Sequence, residues 1–218
     1  MHPILWQAIM SLCCGALPGG FVYPDALCGN IILEIRYYTS YNFIGERLDG
    51  YEAPRAVLAE QAAIALCEAA AEFEKLGFAI KIYDAYRPQS AVDHFLRWGS
   101  DKADCRMKDI FYPDISKEDI FTLDYISPHS AHSRGSAVDM TLIGLRTGKE
   151  TDMGGVFDFF GPVSAYDASG ISWSQRENRM LMRRVMTECG FEPEDSEWWH
   201  FRLSDEPYPD TAFDFPIR

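Results

Sequence analysis

Apolar residues recur at steps of three and four through Leu58, Ala62, Leu66, Ala69, Phe73 and Leu76, a spacing that stacks them on one face of a helix. Pro54 suits the first turn of such a helix and Gly77 its end, so the pattern predicts one core-facing helix between them. Directly afterwards the period changes to two. Phe78, Ile80 and Ile82 alternate with Ala79, Lys81 and Tyr83, which reads as a half-buried strand running into Asp84-Ala85-Tyr86-Arg87-Pro88. Pro88 then opens a second helix that reaches Trp98.

Alternation returns after Ser136, with Val138, Met140 and Leu142 on one face of a strand and Asp139 on the other. Ser174 with Glu177 three residues later reads as a capping box that starts a third helix, and Gly190 closes it. A final strand contains Trp199 and Leu203. Near the start of the chain, residues 31–38 (IILEIRYY) are β-prone, and the turn-rich TSYNFIGERLDGYEAP follows as a long loop of the kind that often carries function. Helices and strands in this order predict an α+β fold: a single domain with a mostly antiparallel sheet flanked by helices.

Composition narrows the picture by exclusion. Of 218 residues, 47% are hydrophobic and 24% charged, the balance of an ordinary globular protein. Twenty Lys and Arg against 33 Asp and Glu give a net charge of −13, which repels a phosphate backbone, so nucleic acid is not an expected partner. The apolar stretch from Ile4 to Leu17 is interrupted by Gln7 and Ser11 and is too short to span a membrane. Residues 1–20 have the apolar middle and small late residues of an export signal but no Lys or Arg ahead of them. The chain therefore divides into residues 1–20, a possible export signal, and a domain over residues 21–218, with the periplasm as the expected location and the cytoplasm as the alternative. Six cysteines (Cys13, Cys14, Cys28, Cys67, Cys105, Cys189) include no CxxC pair, and most of them read as buried thiols.

Chemistry concentrates at two of the five histidines. In SAHSRGSAVD, His132 sits in a loop, Gly135 permits a turn, and Asp139 lies on the polar face of the next strand, so imidazole and carboxylate can converge. The second motif is EWWHF, with Glu197 three residues before His200. Two imidazoles and one carboxylate make a mixed three-ligand zinc site with a fourth position left for water, as in catalytic zinc centres. A nearby carboxylate such as Glu197 can take the proton of that water as it attacks an amide carbonyl. On a regular strand a spacing of three puts Glu197 and His200 on opposite faces, so a bend is expected before the strand. His129 competes as a ligand, although Pro128 beside it favours a loop or pocket role; His94 on its helix and His2 near the terminus read as solvated.

The set SAHSRGSAVDMTL, EWWHF, YDAYRP, IRYYTSYNFIGERLDGY and DEPYPDTAFDFP, in that combination, resembles the D-alanyl-D-alanine dipeptidases, a family of zinc peptidases, over residues 21–218. The resemblance implies an α+β fold shared with the D,D-carboxypeptidases and the Hedgehog N-terminal domain, and hydrolysis of D-Ala-D-Ala to two D-alanines. It also implies one zinc ion on His132, Asp139 and His200, with Glu197 as the base. By the same carry-over Arg87 meets the scissile carbonyl with Asp84 orienting it, and Tyr37, Asp84, Ser130 and Asp158 belong to the substrate site, Asp158 facing the free α-ammonium. Two alternatives stay open: a D,D- or L,D-carboxypeptidase with a more open pocket, and a zinc-stabilised binding module without catalysis.

Overall fold

The computed structural model describes residues 17–123 and 125–218. His2, Cys13, Cys14 and most of the expected export signal lie outside the described residues. The strands are β1 (Phe21–Val22), β2 (Ile31–Leu33), β3 (Leu58–Ala59), β4 (Phe78–Asp84), β5 (Ala137–Gly144), β6 (Phe191–Glu194) and β7 (Glu197–Leu203). The helices are α1 (Pro24–Leu27), α2 (Glu60–Lys75), α3 (Gln89–Ser100), α4 (Lys108–Phe111), α5 (Lys117–Thr122) and α6 (Trp173–Glu188). Five strands form one sheet in the order β2-β4-β5-β7-β6, parallel between β2 and β4 and antiparallel elsewhere, while β1 and β3 pair apart from it. The architecture is the expected α+β single domain.

Cross-strand register explains the aliphatic layer. Ile80 faces Leu142 and Ile82 faces Met140, and α2, through Leu66 and Phe73, joins the same buried cluster as Met182 and Met186 of α6. Truncating a side chain such as Phe73 to Ala in a layer this tightly buried costs about 3–5 kcal/mol. β4 and β5 are buried on both faces, not half-buried as alternation suggested, because their polar face is roofed by aromatic loops: Tyr83 stacks on Phe157 with ring centroids 4.7 Å apart.

Five local expectations are corrected. The helix starts at Glu60 and not at Pro54, because β1 recruits Leu58 and Ala59 into a strand and the Ala59 N–H donates to the Gly135 carbonyl at 2.9 Å. Leu76, at the helix end, is exposed. The capping box of α6 is Ser172 with Gln175; Ser174 is already helical, whereas Ser172 keeps the extended backbone that a cap needs. Within residues 31–38 only Ile31–Leu33 is strand, and Arg36–Tyr38 turns as a 3-10 helix. Cys28 and Cys67 are not free thiols but a disulfide, their Cα atoms 5.5 Å apart where α1 meets α2; Cys105 and Cys189 are free, but Cys105 is exposed and Cys189 half-buried.

Candidate metal centre and substrate cavity

Three neighbouring strands bring Asp84, Asp139 and His200 into one row. A register shift after Ile82 sets Asp84 opposite Asp139, and Asp139 in turn pairs with His200. His132 approaches from a 3-10 turn, His132–Arg134, that Gly135 ends in the left-handed region at φ 72°. Glycine is required there twice over, since a Cβ would also stand 2.4 Å from the Phe21 ring.

The donor atoms converge. His132 Nδ1 lies 2.6 Å from the Ala85 carbonyl, which can only accept, so Nδ1 carries the proton and Nε2 presents its lone pair. Nε2 is 3.2 Å from His200 Nδ1 and 3.3 Å from Asp139 Oδ2, and His200 Nδ1 is 2.9 Å from Asp139 Oδ1. A tetrahedral zinc with bonds near 2.0–2.1 Å separates its ligands by about 3.3 Å, so this triangle has the size and the N/N/O chemistry of a zinc site. Among the described residues these three form the group able to hold a metal ion. Burial works against the Asp139 carboxylate's charge, but both imidazoles outweigh it and hold the pKa well below the usual range.

Glu197 Oε2 stands 3.9 Å from His200 Nδ1, on the same side of the strand. The expected bend is real, but it lies within the paired segment. Pro193 pairs with Phe201 and the next residue, Glu194, pairs with Glu197, leaving residues 198–200 without partners on β6 so that the period of two is broken between Glu197 and His200. Burial pushes the Glu197 carboxyl up to about 7, with the charge of Asp139 adding to it.

Arg87, Tyr37, Ser130 and Asp158 open on the same cavity, of about 240 Å³, as His132, Asp139, Glu197 and His200. The Arg87 guanidinium lies over the rings of Tyr37 and Phe95, at 4.9 and 5.0 Å, and reaches to 3.6 Å from Asp139 Oδ2. Ser130 Oγ accepts from the His132 N–H at 3.2 Å. Asp158 is buried in the left-handed region at φ 63°; its Oδ1 accepts from the Tyr37 hydroxyl at 3.2 Å, and its buried Oδ2 has no partner. Burial and the charge of Asp139 push the Asp158 carboxyl well above the usual range.

Asp84 is where the expectation needs correction. It is not among the residues that line the cavity: one oxygen accepts from Arg87 and the other from the Tyr51 hydroxyl at 2.5 Å, contacts that orient Arg87. Tyr51 itself escaped the sequence reading, although its DGY motif was in view. His129 lines the cavity at its exposed rim and is not among the converging donors. His94 is not simply solvated: its ring sits 3.3 Å from Glu46 and accepts from the Asp49 N–H at 3.4 Å, clipping the long loop to α3.

Comparison with known proteins follows the same lines. The family model described as D-ala-D-ala dipeptidase matches residues 19–218. A D-alanyl-D-alanine dipeptidase of Streptomyces coelicolor is 42% identical over 201 residues, 92% of this chain and 100% of that protein. One from Enterococcus faecalis is 40% identical over the same shares, and one from Escherichia coli is 34% identical over 84% of this chain and 81% of its own length.

Proposed function

The chain belongs to the D-Ala-D-Ala dipeptidase family, and from that membership and the cavity we propose that it hydrolyses the free D-Ala-D-Ala dipeptide to two D-alanines in a zinc-dependent reaction. The observation that carries this reading is that Asp158, one of whose oxygens is buried without a partner, lines the same cavity as the His132, Asp139 and His200 donors. A desolvated carboxylate without a partner is stabilised by a cation, and a dipeptide with a free amino terminus supplies one.

His132, Asp139 and His200 hold the metal, which when bound supplies Lewis acidity at the scissile carbonyl and lowers the pKa of water. Glu197 accepts the proton of the attacking water. It returns that proton to the amide nitrogen as the C–N bond breaks, so one water is consumed and an amine and a carboxylate leave. The Arg87 guanidinium faces the carbonyl oxygen and strengthens its contact as negative charge grows there, with Asp84 fixing its direction. Asp158 binds the ammonium, with the Tyr37 hydroxyl donating to its other oxygen, and the Ser130 hydroxyl contacts the substrate from the loop before His132.

The small cavity favours a dipeptide over a longer wall peptide. The periplasm is the proposed location, supported by the Cys28–Cys67 disulfide, a bond that persists in oxidising compartments. The decisive test compares free and N-acylated stereodefined alanine dipeptides with metal-loaded and chelated protein. Turnover of free D-Ala-D-Ala alone, abolished by chelation, supports the reading; preference for the acylated form assigns the chain to the carboxypeptidase alternative.

A further inference from the structure

Arg179, in the middle of α6, is the largest fully buried side chain of the described residues, and among them no carboxylate lies within ion-pair distance of it. Its three donor groups all go to backbone carbonyls of one loop: Nε to Met153 at 2.7 Å, Nη2 to Val163 at 2.9 Å and Nη1 to Ala165 at 2.5 Å. Burial, with the like charge of Arg176, pulls the guanidinium down to about 10, which leaves it charged near neutrality. A buried cation without a counter-ion is an expensive way to attach a helix to a loop, and an apolar side chain would pack there at lower cost. The fork geometry of Arg does what an apolar residue cannot: it ties both ends of a segment to one rigid point.

That segment carries Asp158 near its centre, in a backbone conformation that non-glycine residues rarely hold. Such a residue persists only where its surroundings over-determine it. Here Phe157 is fixed between the stacked Tyr83 ring and the edge of Trp199, the Ser164 hydroxyl donates to the Phe159 carbonyl at 2.5 Å, and the Phe160 N–H donates to the Phe111 carbonyl at 2.7 Å. The contacts around Asp158 fix the middle of the loop, and Arg179 fixes its ends.

We propose that Arg179 is a positioning residue for recognition of the substrate's amino group, gripping both ends of the 153–165 loop so that the Asp158 carboxylate stays turned into the cavity. This rests on the assignment of Asp158 to the ammonium. Arg179→Lys keeps the charge but cannot span three carbonyls. It should raise KM for D-Ala-D-Ala about tenfold or more, as small misplacements of a binding group do, while kcat and metal content change little. Hydrogen exchange should accelerate in residues 153–165 and not in β5 or β7. The penalty for N-acetylating the substrate should shrink in the variant, as it should in Asp158→Ala, and combining the two substitutions should add nothing.

If Asp158→Ala shrinks that penalty and Arg179→Lys leaves it whole, the proposal is overturned while the ammonium assignment stands. If Asp158→Ala itself leaves the penalty whole, the assignment fails first. Where Arg179→Lys does not fold, Arg179→Met, which also removes the buried charge, takes its place under the same criteria.

Discussion

Asp84 Oδ2 accepts from the Nε of Arg87 at 2.9 Å and forms an ion pair with its Nη2, also at 2.9 Å, a grip on one edge of the guanidinium of a residue that lines the cavity. The carboxylate is buried, and its other oxygen accepts from the Tyr51 hydroxyl, so both of its oxygens are engaged by protein donors. Asp84→Asn keeps the shape but removes the charge and one acceptor. Steady-state kinetics should show kcat falling about ten- to a hundredfold with metal content intact, because a misdirected donor is lost chiefly in the transition state. Wild-type kcat in Asp84→Asn would show that Arg87 needs no such support.

Metal analysis should find one zinc per chain, and His132→Ala, Asp139→Ala and His200→Ala should each lose it. The donor triangle also fixes the sign of the pH effect. Both imidazoles must bind through a neutral nitrogen and Asp139 as a carboxylate, so protons compete with the metal and affinity falls as pH falls. Zinc retained at full occupancy in His200→Ala sinks the ligand assignment.

Glu197→Gln nearly preserves the shape of the side chain 3.9 Å from His200 but cannot accept a proton. Activity should drop about 10²-fold or more, the range of a positioned general base, while zinc and fold persist. A variant that loses zinc together with activity recasts Glu197 as a ligand, and one within a few-fold of wild type removes it from the chemistry.

The metal-binding set was legible because each half is local: H-x6-D spans a turn and the strand it enters, and E-x-x-H lies within one strand, so short-range periodicity sufficed to nominate Asp139 and His200. What escaped was non-local. The start of α2 depends on pairing between Leu58 and a strand almost forty residues earlier, and the Cys28–Cys67 bond depends on how α1 docks on α2. Arg179 looks like any basic residue of an amphipathic helix, because carbonyls of a remote loop carry no side-chain signature. The resemblance places Asp84 with the substrate, and only the position of Tyr51 and Arg87 around it shows both of its oxygens engaged by neighbouring side chains.

The disulfide closes a sequence separation of 39, which by loop-closure entropy stabilises the fold by about 4 kcal/mol. Removing it with Cys28→Ala and Cys67→Ala, or with reductant, should lower Tm on the order of 10 °C. Neither cysteine lines the cavity, so kcat at moderate temperature should hold. Peptide mapping without reductant checks the bond directly, and protein recovered from the periplasm with both thiols free contradicts it.

The Asp158 Oδ2 atom is buried without a partner, and such an oxygen is a cost to the free protein that a bound ammonium relieves. Removing one member of a desolvated charge pair commonly costs about 2–5 kcal/mol, because the other charge is left uncompensated. Since about 1.4 kcal/mol is tenfold, Asp158→Ala should cut kcat/KM for D-Ala-D-Ala by tenfold or more. The same argument applies from the substrate's side. N-acetylation removes the ammonium and should cost the wild type a similar factor, but it should cost Asp158→Ala much less, because the interaction it abolishes is already gone. Tyr37→Phe separates the two oxygens: it takes away the hydroxyl that donates to Oδ1 and leaves Oδ2 in place, so its loss should be smaller and its acetylation penalty should stay near wild type. Equal acetylation penalties in wild type and Asp158→Ala would remove Asp158 from the ammonium site and turn the cavity into one that tolerates a blocked amino terminus.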